Sequence, residues 1–148
     1  MSLNTFNAEE ADNLEDIERQ FAVVAVEQAE TYWNLLTKIK GSKLRLTKFN
    51  DDIYETFIKY FPEYQDIERV KNFKEEELKS KERKVKWREF CGEFEENIED
   101  YNFGTLLRTS SNDEYGQEGT IFVVRIQFYA FEIARNRACL NDWICDKN

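Results

Sequence analysis

The stretch "FYAFEIARNR", Phe128 to Arg137, places three aromatics, one acid and two arginines within ten residues. Stepping about 100° per residue from Ile126 gathers Ile126, Tyr129, Ala130, Ile133 and Leu140 on one side of a helix. Phe128 and Phe131 face largely the other way. A helix apolar on both sides is sandwiched inside a domain or lends its second side to a partner. Glu132 and Arg135 are i, i+3 neighbours on that second side, with Asn136 near Glu132, so structural pairing is the first role expected of these arginines. Arg137 falls among the Ile126 and Ile133 face, where an unpaired guanidinium is expensive to bury. It needs an acid or a carbonyl partner, or a place at the core edge.

Working outward, the spacing predicts this last helix over about Arg125 to Leu140, with "NDWICDKN" as a tail docking through Trp143 and fraying over 144–148. Before it, "TLLRT" and "TIFVV" are short, β-branched and apolar, and the polar stretch "SSNDEYGQEG" lies between them. That pattern predicts a β-hairpin with a mobile loop over 109–119. From about Ile67 to Tyr101, Leu78, Val85, Phe90, Phe94, Ile98 and Tyr101 recur near multiples of 3.6, a long central helix that Gly92 bends or splits. A second helix begins near Asn50, with Ile53, Phe57 and Phe61 inside, and stops at Pro62. Between Asn7 and Ile39, Leu14, Ile17, Phe21, Val24, Tyr32, Leu35, Leu36 and Ile39 mark one face of a long first helix, which Gly41 ends. Residues 1–7 are expected to be disordered.

The fold class is therefore mainly α. A long N-terminal helix packs against the second helix, the central helix and the last helix, with a small hairpin on one edge. At 148 residues, the chain fits a single domain spanning 1–148. One proline and five glycines are too few for a many-turned all-β protein. Charged residues make up 34% and mean hydropathy is −0.72, but twelve Phe, seven Tyr and three Trp supply a core.

The same inventory narrows the chemistry. No histidine is present, which removes Ser-His-Asp and Cys-His arrangements and every His-containing metal site. Cys91, Cys139 and Cys145 are odd in number and lack CxxC spacing, so reduced, mostly buried thiols are expected. The glycines make neither GxGxxG nor GxxxxGK[ST], so no cofactor is implied. With thirty acids, nothing selects a carboxylate pair for glycoside chemistry. A net charge of −9 argues against generic DNA binding. No transmembrane run and no signal peptide are visible, so the protein is expected in the cytoplasm without a membrane partner.

One segment opposes the overall charge. "KNFKEEELKSKERKVKWR", Lys71 to Arg88, holds eight basic and four acidic residues. Lys79, Lys81, Lys84, Lys86 and Arg88 form a basic band that could meet ribosomal RNA or an acidic surface. The bland alternative is a solvated helix face in which Glu75, Glu77 and Glu82 pair with Lys79, Lys81 and Lys86.

Five segments carry a resemblance: "AVEQAETYWNLL", "GSKLRLTK", "IEDYNFGTLLR", "RIQFYAFEIARNR" and "LNDW". They look like the small eukaryotic family called polysaccharide biosynthesis domain-containing protein 1, particularly its short fungal members, over about Ala11 to Trp143. Plant xylan methyltransferases share the domain name, but their activity is not carried over, because the glycine-rich cofactor loop is missing here. The resemblance implies a cytosolic, ribosome-associated folding helper for the newly made alpha subunit of translation elongation factor 1. It also implies cooperation with the nascent polypeptide-associated complex, and it supplies no catalytic motif.

The expected function is thus transient binding without catalysis. Phe128, Phe131 and Arg135 are candidate partner contacts if the second side of the last helix is open, with Phe103 and Arg108 at the nearby hairpin entry. Two alternatives stand beside it: an enzyme of sugar or nucleotide metabolism using acidic residues, and a purely ribosome-associated adaptor using the basic band.

Overall fold

The computed structural model describes residues 14–147, with side chains from Ala22 onward. The expectation for residues 1–7 lies outside the described residues. The elements run α1 (Leu14–Lys38), α2 (Asn50–Tyr60), α3 (Ile67–Lys71), α4 (Glu76–Lys79), α5 (Lys81–Gly92), β1 (Gly104–Arg108), β2 (Thr120–Val124), α6 (Arg125–Arg137) and α7 (Asp142–Lys147). The fold is mainly α with one antiparallel hairpin, whose register sets Leu106 opposite Phe122.

The buried face of α1 is Ala25, Ala29, Tyr32 and Leu36, a spacing of four, three and four. It shares Tyr32 and Leu36 with the face marked by the larger apolar residues but turns away from Val24, Leu35 and Ile39, which are 46, 39 and 41% exposed. Small alanines let the helix approach β1 closely, and it rests on β1 and α7 rather than on α2. Tyr32, Leu36 and Ile144 form a small second core beneath it.

The main core joins α2, α5 and α6. Phe57 stacks on Tyr64 at 5.0 Å, Phe61 on Trp87 at 4.2 Å and Phe73 on Phe131 at 4.4 Å. Such ring pairs add about 0.5–1.5 kcal/mol each beyond the area they bury.

The long central helix expected from periodicity is instead three short ones. Asp66 caps α3 by accepting from the Glu68 N–H, and Ser80 caps α5 by accepting from the Arg83 N–H. Between α3 and α4 the backbone turns to the hairpin: Asn72 bridges Ser110, and the Phe73 N–H donates to the Thr109 carbonyl at 3.0 Å. Arg83 then bolts the pieces together, donating to Glu63 at 2.6 Å, to the Tyr64 hydroxyl at 3.1 Å and to the Glu77 carbonyl at 2.9 Å.

The chain end also differs from expectation. Residues 142–147 form α7, and Ile144 is fully buried, so a frayed tail over 144–148 does not describe Ile144. Trp143 docks as expected, its indole N–H donating to the Ser111 carbonyl at 2.8 Å. The 109–119 loop is held at both ends: the Thr109 N–H donates to Gly119 at 2.8 Å, and Arg108 donates to the carbonyls of Ser111 and Asp113 at 3.2 and 3.1 Å.

Candidate functional site

Two places concentrate polar chemistry or open apolar surface: a buried charge cluster on α6 and the outer flanks of α1. The cluster centres on Glu132. Its Oε1 accepts from Arg108 at 3.2 Å and from Asn141 at 3.1 Å, and its Oε2 accepts from Arg135 at 2.9 Å. Arg135 also donates to the carbonyls of Val70 and Arg108 at 2.9 and 2.8 Å, so one guanidinium ties together α3, β1 and α6. Arg108, Glu132 and Arg135 are all 0% exposed. Burial alone would push the Glu132 carboxyl up, but Arg108 and Arg135 outweigh it and hold the group below the ordinary carboxylate range. Burial and the adjacent Glu132 charge push the Tyr32 hydroxyl well above its usual value. With no opening to solvent, this cluster is an internal brace.

That burial corrects three of the five candidate contacts. Phe131, Arg135 and Arg108 are wholly enclosed and present nothing to a partner. Arg135 instead sits 5.4 Å from the Phe73 ring centre, filling the second side of α6 with the protein's own core. Phe103 and Phe128 are half-buried. Phe128 meets Tyr32 edge to face at 5.1 Å and lines an open groove. Arg137 lies at the core edge, 3.3 Å from Asp51 and 4.1 Å from the Tyr54 ring centre.

The basic band is exposed but narrower than its sequence. Lys79 pairs with Glu75 at 2.6 Å as the helical spacing predicts. The Glu77 and Lys81 pairing is not formed, because the helix breaks at Ser80 and Glu77 turns to Tyr64, Arg69 and the Lys74 N–H. Lys86 reaches over the Phe61 ring at 5.2 Å. Lys81, Lys84 and Arg88 remain together on the solvent face of α5.

Open apolar surface lies along α1. Val23 and Val26 are 57 and 44% exposed, beside Val24. On one flank, Val24, Leu35, Leu46, Phe128 and Tyr129 line a groove of about 520 Å³, with Glu27 and Arg125 as its charged residues. On the other, Val26, Trp33, Leu106 and Tyr115 line a groove of about 530 Å³, with Glu30 and Glu114 as its charged residues. The periodicity places Val24 and Leu35 on one apolar face of α1 and passes over Trp33 and Tyr115, which meet only in the fold. Among the described residues, no group of three or more Cys, Asp or Glu side chains could hold a metal ion, and no helix is long and apolar enough to cross a membrane.

The chain is 72% identical over 142 residues to the Protein PBDC1 homolog of Saccharomyces cerevisiae, covering 96% of this chain and 97% of that protein. Protein PBDC1 of Homo sapiens is 45% identical over 134 residues, which are 90% of this chain and 56% of the human protein. A solution NMR structure of a Saccharomyces cerevisiae protein superimposes with a TM-score of 0.86 at 72% identity, over 97% of this chain and 99% of that one. Residues 17–146 match the family model described as PBDC1 protein, and the chain belongs to that family.

Proposed function

We propose that the protein is a cytosolic, ribosome-associated folding helper for the newly made alpha subunit of translation elongation factor 1. It works alongside the nascent polypeptide-associated complex and acts by transient binding without catalysis. The observation that carries this reading is the apolar outer surface of α1, where Val23, Val24 and Val26 stand exposed between two open grooves. Fully burying a Val or Leu side chain is worth about 1.5–3 kcal/mol. A few half-exposed ones can therefore favour a weak, reversible complex. Folding of the client buries the segment it offered and so releases the helper by mass action, with no need for ATP.

The charged residues lining the grooves are few and solvent-facing, and the buried carboxylate of Glu132 is closed off from any substrate. Both features support a binding role over an enzyme built on paired acids.

Selective ribosome profiling with the tagged protein tests the proposal. Footprints are expected to be enriched on the message for the alpha subunit once its first domain begins to emerge, and to fall in a Val23→Asp, Val26→Asp variant that still folds. Uniform footprints across messages would overturn the reading.

A further inference from the structure

The groove between α1 and the 109–119 loop has the lining of a cation site. Trp33 and Tyr115 meet edge to face at 6.1 Å, and Trp143 meets Trp33 at 6.0 Å. Glu30 and Glu114 are the charged residues of this groove, and among the described residues no basic one lines it. Aromatic faces attract ammonium and guanidinium groups, and most strongly so when water is excluded. The protein already uses these rings in that way. From the inside, the Arg108 guanidinium carbon lies 5.5 Å from the Trp33 ring centre and 5.7 Å from that of Tyr115. At the rim, Lys147 Nζ lies 5.9 Å from the Trp143 ring centre and 3.3 Å from Glu114 Oε2.

Arg108 is fully buried and shares the Glu132 carboxylate with Arg135, and the exposed Lys147 pairs with Glu114, so a visitor meets Glu30 directly and Glu114 by displacing Lys147. The groove on the other flank of α1 differs, since Arg125 and Glu27 both line it. A net charge of −9 adds long-range attraction for a basic visitor.

We infer that this groove takes a lysine or arginine side chain from a basic, apolar segment of a partner protein. The cation lies against Trp33 and Tyr115, within reach of Glu30 and Glu114, and flanking apolar side chains cover Val26 and Leu106. The inference rests on the binding-module reading above and gives its ligand a chemistry.

The probe is a fluorescein-labelled peptide of alternating leucine and arginine, with lysine and citrulline counterparts, titrated by fluorescence anisotropy. Indole N–H resonances are followed in parallel. The arginine and lysine peptides are expected to bind and to shift Trp33, leaving Trp87 in the main core unmoved. The citrulline peptide is expected to bind about tenfold more weakly. Glu30→Lys with Glu114→Lys should weaken the arginine peptide about tenfold, and Glu95→Lys with Glu96→Lys, the same change of charge beyond α5, should weaken it less than about twofold. An unmoved Trp33 resonance, equal binding of citrulline, or equal loss in the control variant would each overturn the site. If the Glu30 and Glu114 variant still captures client on ribosomes while the α1 valine variant does not, the folding-helper reading stands and the cation site falls. If neither variant changes client capture, the helper reading loses its surface, and the peptide titration alone decides the groove.

Discussion

The Arg135 guanidinium donates to the Arg108 carbonyl at 2.8 Å, and the side chains of both arginines close on the one carboxylate of Glu132. The last helix is thereby fastened to the first strand through charges that water does not reach. Removing one member leaves the others desolvated and uncompensated. Glu132→Ala is expected to cost about 3–5 kcal/mol in urea unfolding followed by circular dichroism. Replacing Arg108, Glu132 and Arg135 together by apolar residues of similar size should recover part of that loss, because no buried charge then remains. A cost below about 1 kcal/mol for Glu132→Ala would mean that water enters the cluster.

The part of this brace made by neighbours was legible in the sequence. Glu132 and Arg135 are three residues apart, so helical spacing alone brings them together. Arg108 stands 24 residues before Glu132 and joins it only when the hairpin folds back on α6. The same limit hid the breaks around α4, since the partner that draws Phe73 out of a helix is the backbone of Thr109. On α1 the large apolar residues drew attention away from Ala25 and Ala29, yet close approach to β1 selects small side chains. Phe131 and Phe128 looked equivalent by angle, and packing against Phe73 encloses only Phe131.

The depressed Glu132 carboxyl also fixes how stability responds to acid. A carboxyl whose pKa is lower folded than unfolded contributes stability that is fully present above its unfolded value, about 4.3, and is lost as pH falls through the folded value. Urea midpoints measured from about pH 7 to pH 3 should therefore fall more steeply in the parent protein than in Glu132→Gln, whose midpoint is lower at neutral pH. Parallel curves for the two proteins would show that Glu132 does not change its proton affinity on folding.

Thiol reactivity should separate two of the three cysteines. Burial pushes the Cys91 thiol up to about 12, whereas Cys139 is exposed. The thiolate is the reacting species. Maleimide labelling of the folded protein near neutral pH, read by mass spectrometry, is expected to mark Cys139 and to spare Cys91 until denaturant is added. Labelling of Cys91 at the rate of Cys139 would place α5 in a locally open state.

Cys139 also occupies a backbone position that usually holds glycine. Its φ is 62°, its N–H donates to the Asn136 carbonyl at 3.1 Å, and the Leu140 N–H donates to the Arg135 carbonyl at 2.9 Å. Those two bonds are the Schellman ending of a helix, in which glycine avoids the Cβ clash of the left-handed region. That clash costs roughly 1–2 kcal/mol, offset in part by the greater unfolded freedom of glycine. Cys139→Gly should raise unfolding stability by about 0.5–1 kcal/mol, and a loss of stability would mean that the cysteine side chain makes contacts worth more than the strain.

The basic band poses its own question, because its segment remains charged and exposed after the ion pairs are assigned. Lys79 is engaged by Glu75 and Lys86 by the Phe61 ring, which leaves Lys81, Lys84 and Arg88 on one face of α5. If this face meets ribosomal phosphates, the contact is electrostatic and screened by salt over a length of about 10 Å at 0.1 M. Reversing Lys81, Lys84 and Arg88 to Glu is then expected to lower co-sedimentation with ribosomes at low salt severalfold, and high salt should erase the difference by releasing the parent protein too. If α1 captures a client as proposed, that capture should be lost only to the extent that it depends on ribosome proximity, so free client peptide should bind the reversed variant normally. Unchanged co-sedimentation at low salt would make these three residues a solvated face.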